Sequence, residues 1–587
     1  MLLSSTLSAI ALGYCAPRAS PSGGSTAPAS LANAPLGVFR RAGAPAVLDI
    51  ASHSTGLQFG PDELAYGLYR PLYDSSGWDV LEVHSNPNVP DCDGAFGAGF
   101  FEGAATARRI EQNAVNSGVK GFNTSGVLKD FLAANERYRS TMIAMANDST
   151  APLPPSHADR RLWYHHSLVQ AQLDGLEAGY AAIGRPALVA AKTTSVDEAL
   201  TPRDFLLLQV GGDLEDLAHF GTCNETGPVF DAGRCSALIR LTPNNADLLV
   251  SQSTWAGLNS MLRMYKMYEL PFLMSDVENN ASRRVPAERV SFSSYPGTLN
   301  SGDDFYVLSS GLIQQETTIG NSNHALASRF ISPFTVLEWR RNIVANRLAT
   351  SCDPRDDGAW SQWYRKENSG TYNNQNMCVD FNRFAPGEPL VNGTFVITEQ
   401  IPGYVVDTDL SSRLQRAGYF GSYNVAYDAE IRTLSGADAN AAAYGAWFDY
   451  ERTARAQIFA RDAPSITDLS SMKRVMRSCD FKHDPLSTQL NTCVFRGMTN
   501  CTPAFTAENC IATRGDLNPV DGVWGISAFG HRNHVQTDTK IASYSSFDTR
   551  SVGADIVCGE FSVYRYISRE SCSQFDSLPL TSLTTRN

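Results

Sequence analysis

The chain has 587 residues, 43% of them hydrophobic and 18% charged, with a formal net charge of −12. That length can bury a large core and hold more than one domain. The acidic balance, with arginines paired only at isolated places such as Arg108-Arg109 and Arg340-Arg341, excludes the basic face that a nucleic-acid binder carries.

In chain order, Met1 to Ala16 is a short apolar run ending in small residues and reads as a secretory signal peptide. It is too short to span a membrane, and no later apolar run reaches that length. Residues 17–45 read as a linker or propeptide, with Pro, Ser, Ala and Gly concentrated up to about residue 36, a composition that does not build a core. Residues 46–234 form a mostly helical fragment after one early strand, Trp78 to His84. Helices are predicted over 94–117, where small residues allow close packing, and over 126–146, 160–182 and 204–219. Leu162, His166, Val169 and Leu173 keep helical spacing, so His165 and His166 read as structural.

Residues 235–587 are more strand-like. Cys235 opens an alternating run to Leu241, a Pro-Asn-Asn turn follows, and Asp247 to Trp255 makes the second arm of a β-hairpin. Further strands are predicted at Arg289–Tyr295, Asp304–Leu308, Gly311–Gly320 and Phe395–Gln400, with a helix from Phe334 to Leu348. Helices and strands without strict βαβ alternation imply an α+β layered fold with antiparallel sheets.

Cys235 is the residue on which function turns. The small pair Ala232-Gly233 leads almost directly into the strand that Cys235 begins. If the chain is cut before this thiol, the new α-amino group, with an ordinary pKa of about 7.7–8.0, can serve as its base. The ordinary alternative is a buried small hydrophobe or half of a disulfide. Of the twelve cysteines, setting aside Cys15 with the signal peptide and Cys235 as nucleophile leaves an even number. That suits disulfides and an oxidising lumen. Six Asn-x-Ser/Thr sites, Asn123, Asn147, Asn224, Asn280, Asn392 and Asn500, also suit an exported glycoprotein. No CxxC or HExxH pattern occurs, so no metal site and no cofactor are expected. A Gly-x-Ser-x-Gly elbow is absent too, which argues against a serine lipase.

The run Arg234-Cys235-Ser236-Ala237-Leu238-Ile239, with Asp247-Leu248-Leu249-Val250 and Thr254-Trp255, resembles the phospholipase B-like (lamina-ancestor) family. So do Gly77–His84, Phe292–Thr298, Ser301–Tyr306, Glu316–Asn321, Arg341–Arg347, Gly370–Gln375, Glu399–Gly403, Ser422-Tyr423-Asn424 and Phe481–Pro485, in order over about residues 60 to 575. The resemblance implies an N-terminal-nucleophile hydrolase with a four-layer αββα sandwich, self-cleaved at Arg234–Cys235, secreted or lysosomal, and acting on acyl esters of phospholipids. On that mechanism Asn373 and Asn374 are the expected oxyanion donors, unless the pair is a plain turn. Thr317 or Thr318 is either a second polar contact or an ordinary strand threonine. Trp255 is expected in the pocket wall, and Gln252 stands where members of the family often have a histidine. Arg347, Arg461 and Arg514 are unranked candidates for binding phosphate, and His483 reads as a helix-ending residue. The expected partner is a lipid or an N-acylated small molecule, with peripheral contact to a membrane surface compatible and no nucleic acid. Two other readings stay open: an amidase acting on N-acyl amines or small peptides, and a secreted lipid-binding glycoprotein without catalysis.

Overall fold

The computed structural model describes residues 15, 25–28, 30–53, 58–120, 122, 126–148, 150–217, 235–274, 283–488, 507–518, 534–537 and 539–547. Its strands are β1 (Leu36–Arg41), β2 (Ala44–Ser52), β3 (Glu63–Arg70), β4 (Trp78–Ser85), β5 (Cys235–Leu241), β6 (Leu248–Gly257), β7 (Arg263–Glu269) and β8 (Arg289–Ser294). They continue as β9 (Phe305–Leu308), β10 (Leu312–Thr318), β11 (Asn374–Asp380), β12 (Phe395–Ile401), β13 (Tyr404–Asp409), β14 (Tyr419–Ser422), β15 (His534–Gln536) and β16 (Lys540–Ser543). Eleven strands form one sheet in the order β13-β12-β11-β10-β9-β8-β7-β4-β3-β1-β2. The smaller sheet runs β14-β5-β6-β15, with β16 also on β6. All pairings are antiparallel except that of β4 with β7.

Side-chain alternation along β5 shows how the layers stack. Ala237 and Ile239 face inward with Val250, against Ile313, Met377 and Ile397 of the large sheet. Leu238, between them, turns to the other side, where it packs with Leu249, Ile541 and residues of two later helices. A one-residue slip would exchange these faces, so burial on both sides fixes the register. On the outer face of the large sheet lie α1 (Asp91–Ala105) and α2 (Arg160–Gly179), whose apolar residues join those of β3 and β4 in one core. The helices touch backbone to backbone. A Cβ on Gly103 would sit 1.9 Å from the carbonyl oxygen of Leu176, and one on Gly175 would sit 2.1 Å from that of Phe96. The small residues expected to permit close packing therefore do so. The order is helices, large sheet, small sheet, helices, an α+β arrangement.

Several elements differ from the sequence reading. Four strands precede Cys235 where one was expected. The supposed linker 17–45 includes all of β1, whose Leu36 and Val38 are buried. Their alternation is short and set among glycines and alanines, so it carries little signal. The helix expected over 94–117 breaks at Thr106, and that over 204–219 splits into Pro202–Gln209 and α3 (Gly211–Leu217), with residues 218 and 219 outside the described residues. The helix expected from Phe334 starts later, as α4 (Glu338–Leu348), because the carboxylate of Asp213 in α3 accepts the N–H groups of Glu338 and Trp339 at 2.8 and 3.4 Å and so sets its N-terminus.

A buried ion pair ties α1 to the large sheet. Lys266 of β7 donates to Glu102 at 2.8 Å and to the Thr298 carbonyl at 2.6 Å, and Tyr268 also donates to Glu102. Both charged side chains are fully buried. Lys266→Met should lower stability by about 3–5 kcal/mol, because it strands a carboxylate in the core. Urea unfolding of Lys266→Met beside the double variant Lys266→Met/Glu102→Leu checks this: the second change should restore most of the loss.

Disulfides join Cys15 to Cys92, Cys352 to Cys378 and Cys479 to Cys510. Cys15 is thus a structural half-cystine on α1, and a leader ending at Ala16 would remove it. The sequence tally that set Cys15 aside is corrected accordingly. Among the described residues no helix is long and apolar enough to cross a membrane. Asn147 and Asn392 are exposed; the other four sites, Asn123, Asn224, Asn280 and Asn500, lie outside the described residues.

Candidate functional site

A cavity of about 580 Å³ opens beside the start of β5, and Cys235 is in its wall. Cys235 is the free cysteine of the described residues and is 1% exposed. The hairpin sets it directly opposite Thr254. Its own backbone is held at both ends. The N–H donates to Asn424 Oδ1 at 3.3 Å, and the carbonyl accepts from the guanidinium of Arg455. Arg455 comes from α5 (Ala454–Asp462), on the outer face of the small sheet. It also donates to the Tyr423 carbonyl at 2.7 Å and lies 4.3 Å over the Trp255 ring. Asn424 in turn donates to the Thr318 carbonyl at 2.8 Å. Its φ of +68° is a conformation that Asn tolerates better than most residues, which suits an amide at this corner.

Cys235 is held as the protonated thiol. Burial first, and then the negative charge of Asp304, push its pKa up to about 12, against the pull of Lys540, Arg455 and the Trp255 N–H. Asp304 forms a buried carboxyl pair with Glu316. Burial, and then the neighbouring charge of Asp304, raise Glu316 well above the ordinary carboxyl range, so it keeps its proton. Tyr372 donates to Asp304 Oδ2 at 2.7 Å. Asp304 therefore holds the charge of the pair. Lys540 of β16 reaches the same place, 3.1 Å from Thr254 Oγ1 and 3.6 Å from Asp303 Oδ2. A cation favours a thiolate and an anion opposes it. Lys540→Met should therefore slow alkylation of Cys235 by roughly tenfold at fixed pH, and Asp304→Asn should speed it, since one pKa unit is tenfold in thiolate. The pH profile of iodoacetamide labelling reads both; shifts of the same sign would rule out this electrostatic account.

The structure distributes the other expected residues unevenly. Trp255 lines the cavity, its indole N–H on the Ile511 carbonyl at 3.2 Å. Thr318 also lines it, but its contact to Asn424 is through the backbone. Thr317 lies off the cavity; its hydroxyl meets that of Ser422 at 2.6 Å and Ser422 bonds Gln375, a link between the two sheets. Gln252 is fully buried behind the wall, donating to the Glu316 carbonyl at 3.2 Å and accepting from Thr254 at 3.0 Å.

Asn373 and Asn374, the expected oxyanion donors, are not among the residues that line the cavity. Asn373 donates to the Gly370 carbonyl at 3.0 Å and bonds Asp216 of α3, while Thr371 bonds Asp213. The Gly370–Gln375 block is a clamp that holds α3, a wall of the cavity. Asn374 is buried on β11 opposite Thr318, and neither atom of its amide has a hydrogen-bond partner among the described residues.

Asn424, Arg455, Asp304 and Lys540 are the contacts that sequence reasoning missed. Asn424 sits in a block already singled out, Ser422-Tyr423-Asn424, next to a strand end. Arg455 and Lys540 carry no local signal, since each reaches Cys235 only through tertiary packing. His165 and His166 are fully buried, and burial holds their pKa well below the ordinary value, as structural residues. Arg347 is buried over Phe272, Arg461 pairs with Asp462 and Asp484, Arg514 with Asp516, and His483 with Asp480. None of these lines the cavity. Among the described residues no group of three or more His, Cys, Asp or Glu side chains is arranged to hold a metal ion.

A family model described as Phospholipase B matches residues 65–562. The chain is 40% identical over 496 residues to the Bos taurus protein named "Putative phospholipase B-like 2", covering 82% of this chain and 78% of that one. The Homo sapiens protein of the same name is 39% identical over 486 residues, 83% and 78% of the two chains. "Phospholipase B-like protein B" of Dictyostelium discoideum is 32% identical over 483 residues, 80% and 75%. A match of this extent, over most strands of both sheets and the strand that carries the buried thiol, shows that the chain belongs to the phospholipase B-like family.

Proposed function

We propose that the protein is an acyl hydrolase of the N-terminal-nucleophile type, with the αββα sandwich of that class, which cuts itself at Arg234–Cys235 and then releases fatty acid from phospholipid esters. One observation carries the reading. The sole free thiol of the described residues opens an inner strand, walls a large cavity, and has its own backbone nitrogen on Asn424. Arg234 lies outside the described residues, and the cut follows from the chemistry required. The Cys235 sulfur adds to the Arg234 carbonyl, the carbon–nitrogen bond breaks, and the nitrogen leaves with a proton. Water then hydrolyses the thioester. The released α-amino group stays on Asn424 and takes over as the base the uncut chain lacks.

In turnover the amine accepts the thiol proton, sulfur attacks the acyl carbonyl, and the amine returns the proton to the leaving oxygen. Water then repeats the sequence to free the fatty acid. Arg455 fixes the Cys235 carbonyl, so the nucleophile cannot swing away from the amine's partner. The exported, glycosylated state expected from the sequence fits the Cys352–Cys378 and Cys479–Cys510 disulfides; a mass shift on enzymatic deglycosylation tests it. Fatty-acid release by the cut protein from phospholipid vesicles tests the activity. Faster turnover of matched N-acyl amides would assign it as an amidase. A cut protein inert on both would be a binding protein.

A further inference from the structure

The side chains that line the cavity carry charge of one sign, with the cations Lys540 and Arg455 packed behind the wall at Cys235. Among the described residues that line it are four carboxyl groups, Asp213, Glu215, Asp304 and Glu338, and no Lys, Arg or His. Glu338 keeps its proton near neutrality, since burial pushes its pKa up to about 8. Asp304 is the carboxylate whose charge acts most strongly on the thiol. Beside it stand two electron-rich rings. Tyr372 donates its hydroxyl to Asp304, and Tyr295 donates to Asp303 Oδ1 at 2.6 Å. A phenol that donates to a carboxylate gains electron density, and the faces of such rings attract cations. The cavity tryptophans already hold guanidinium groups, Arg455 on Trp255 and Arg340 on Trp339.

A separate observation is an electronegative atom left without a partner in the same wall. Asn300 lines the cavity at 9% exposure, and its Oδ1 accepts from no described residue. Buried acceptors are rarely left so, unless something that binds supplies the donor. Carboxylates, phenol faces and an unpartnered amide oxygen together suit a positively charged nitrogen and oppose a net negative charge on the part of the substrate that leaves the acyl group.

We propose that the cavity receives acyl compounds whose non-acyl part carries an ammonium or quaternary nitrogen and no net negative charge, and that it discriminates against those whose non-acyl part is anionic. This rests on reading the cavity as the acyl-hydrolase site. A phosphocholine head, net neutral with its cation outermost, meets the requirement; a bare phosphate monoester head does not.

The test uses the full, self-cut protein and three esters of one acyl chain: lauroylcholine, monolauroylglycerol and monolauroylglycerol phosphate. The value of kcat/KM should fall in that order, with at least about tenfold between the first and last, equivalent to about 1.4 kcal/mol. Glu215→Lys should shrink that ratio. Equal or faster turnover of the phosphate ester overturns the proposal. A second readout does not need turnover. Butyltrimethylammonium should protect Cys235 from iodoacetamide, while butyl phosphate at the same ionic strength should not. If none of the esters is cleaved and only the cation protects, the hydrolase reading fails and the charge preference stands. If the phosphate protects as well as the cation, the preference fails whatever the turnover.

Discussion

Cys235→Ala is expected to leave the chain in one piece, with no phospholipid hydrolysis, under conditions where the wild-type protein is found as two fragments. The wild-type C-terminal fragment should begin at Cys235 and run for 353 residues, the 587 of the chain less the 234 before it. The reason is chemical. The thiol is the only free one among the described residues, it opens an inner strand, and its backbone nitrogen is the atom that a cut would turn into an amine. The substitution removes only a sulfur from a well-packed strand, so the fold should persist, as circular dichroism would check. Denaturing gels and intact mass then read the cut. Two fragments of normal size from the alanine variant would mean that another protease does the cutting, and the self-processing step would have to be abandoned.

Asn424→Gly should give the next largest loss. The amide oxygen holds the nitrogen of Cys235 at 3.3 Å, and after cutting that nitrogen is the base. Glycine accepts the left-handed backbone at this position, so the change removes the amide without adding strain. A general base that is no longer oriented forfeits the typical 10²–10⁴-fold of such catalysis, and a kcat decrease of about 10²-fold is expected. Asn424→Asp keeps the acceptor and should retain more activity than the glycine variant. Pre-cut enzyme must be used, so that an effect on maturation is not counted as an effect on turnover. If the glycine variant keeps full kcat, the amine is positioned by something else.

The sequence was most legible where local pattern and chemistry coincide. The hairpin 235–255 could be read because period-2 alternation, a Pro-Asn-Asn turn and a leading cysteine lie within two dozen residues. Helices such as 126–147 and 160–179 were readable from apolar spacing. The strands β1 to β3 were not, because their glycine and alanine content weakens the alternation. The site itself is mostly non-local. Arg455 lies 220 residues from Cys235 and Lys540 lies beyond it, each brought in by the layering of helix and sheet. Asn373 and Asn374 show the limit of a local motif. Adjacent amides in a family block invited a catalytic role, yet Asn373 holds a wall helix through Gly370 and Asp216.

The most direct test of the account is the N-terminal sequence of every polypeptide in purified, reduced protein, read beside its activity on phospholipid vesicles. The account predicts a fragment whose first residue is Cys235, present in proportion to activity. Full activity from a chain still continuous across Arg234–Cys235 would contradict it, because the amine that must serve as base would not exist.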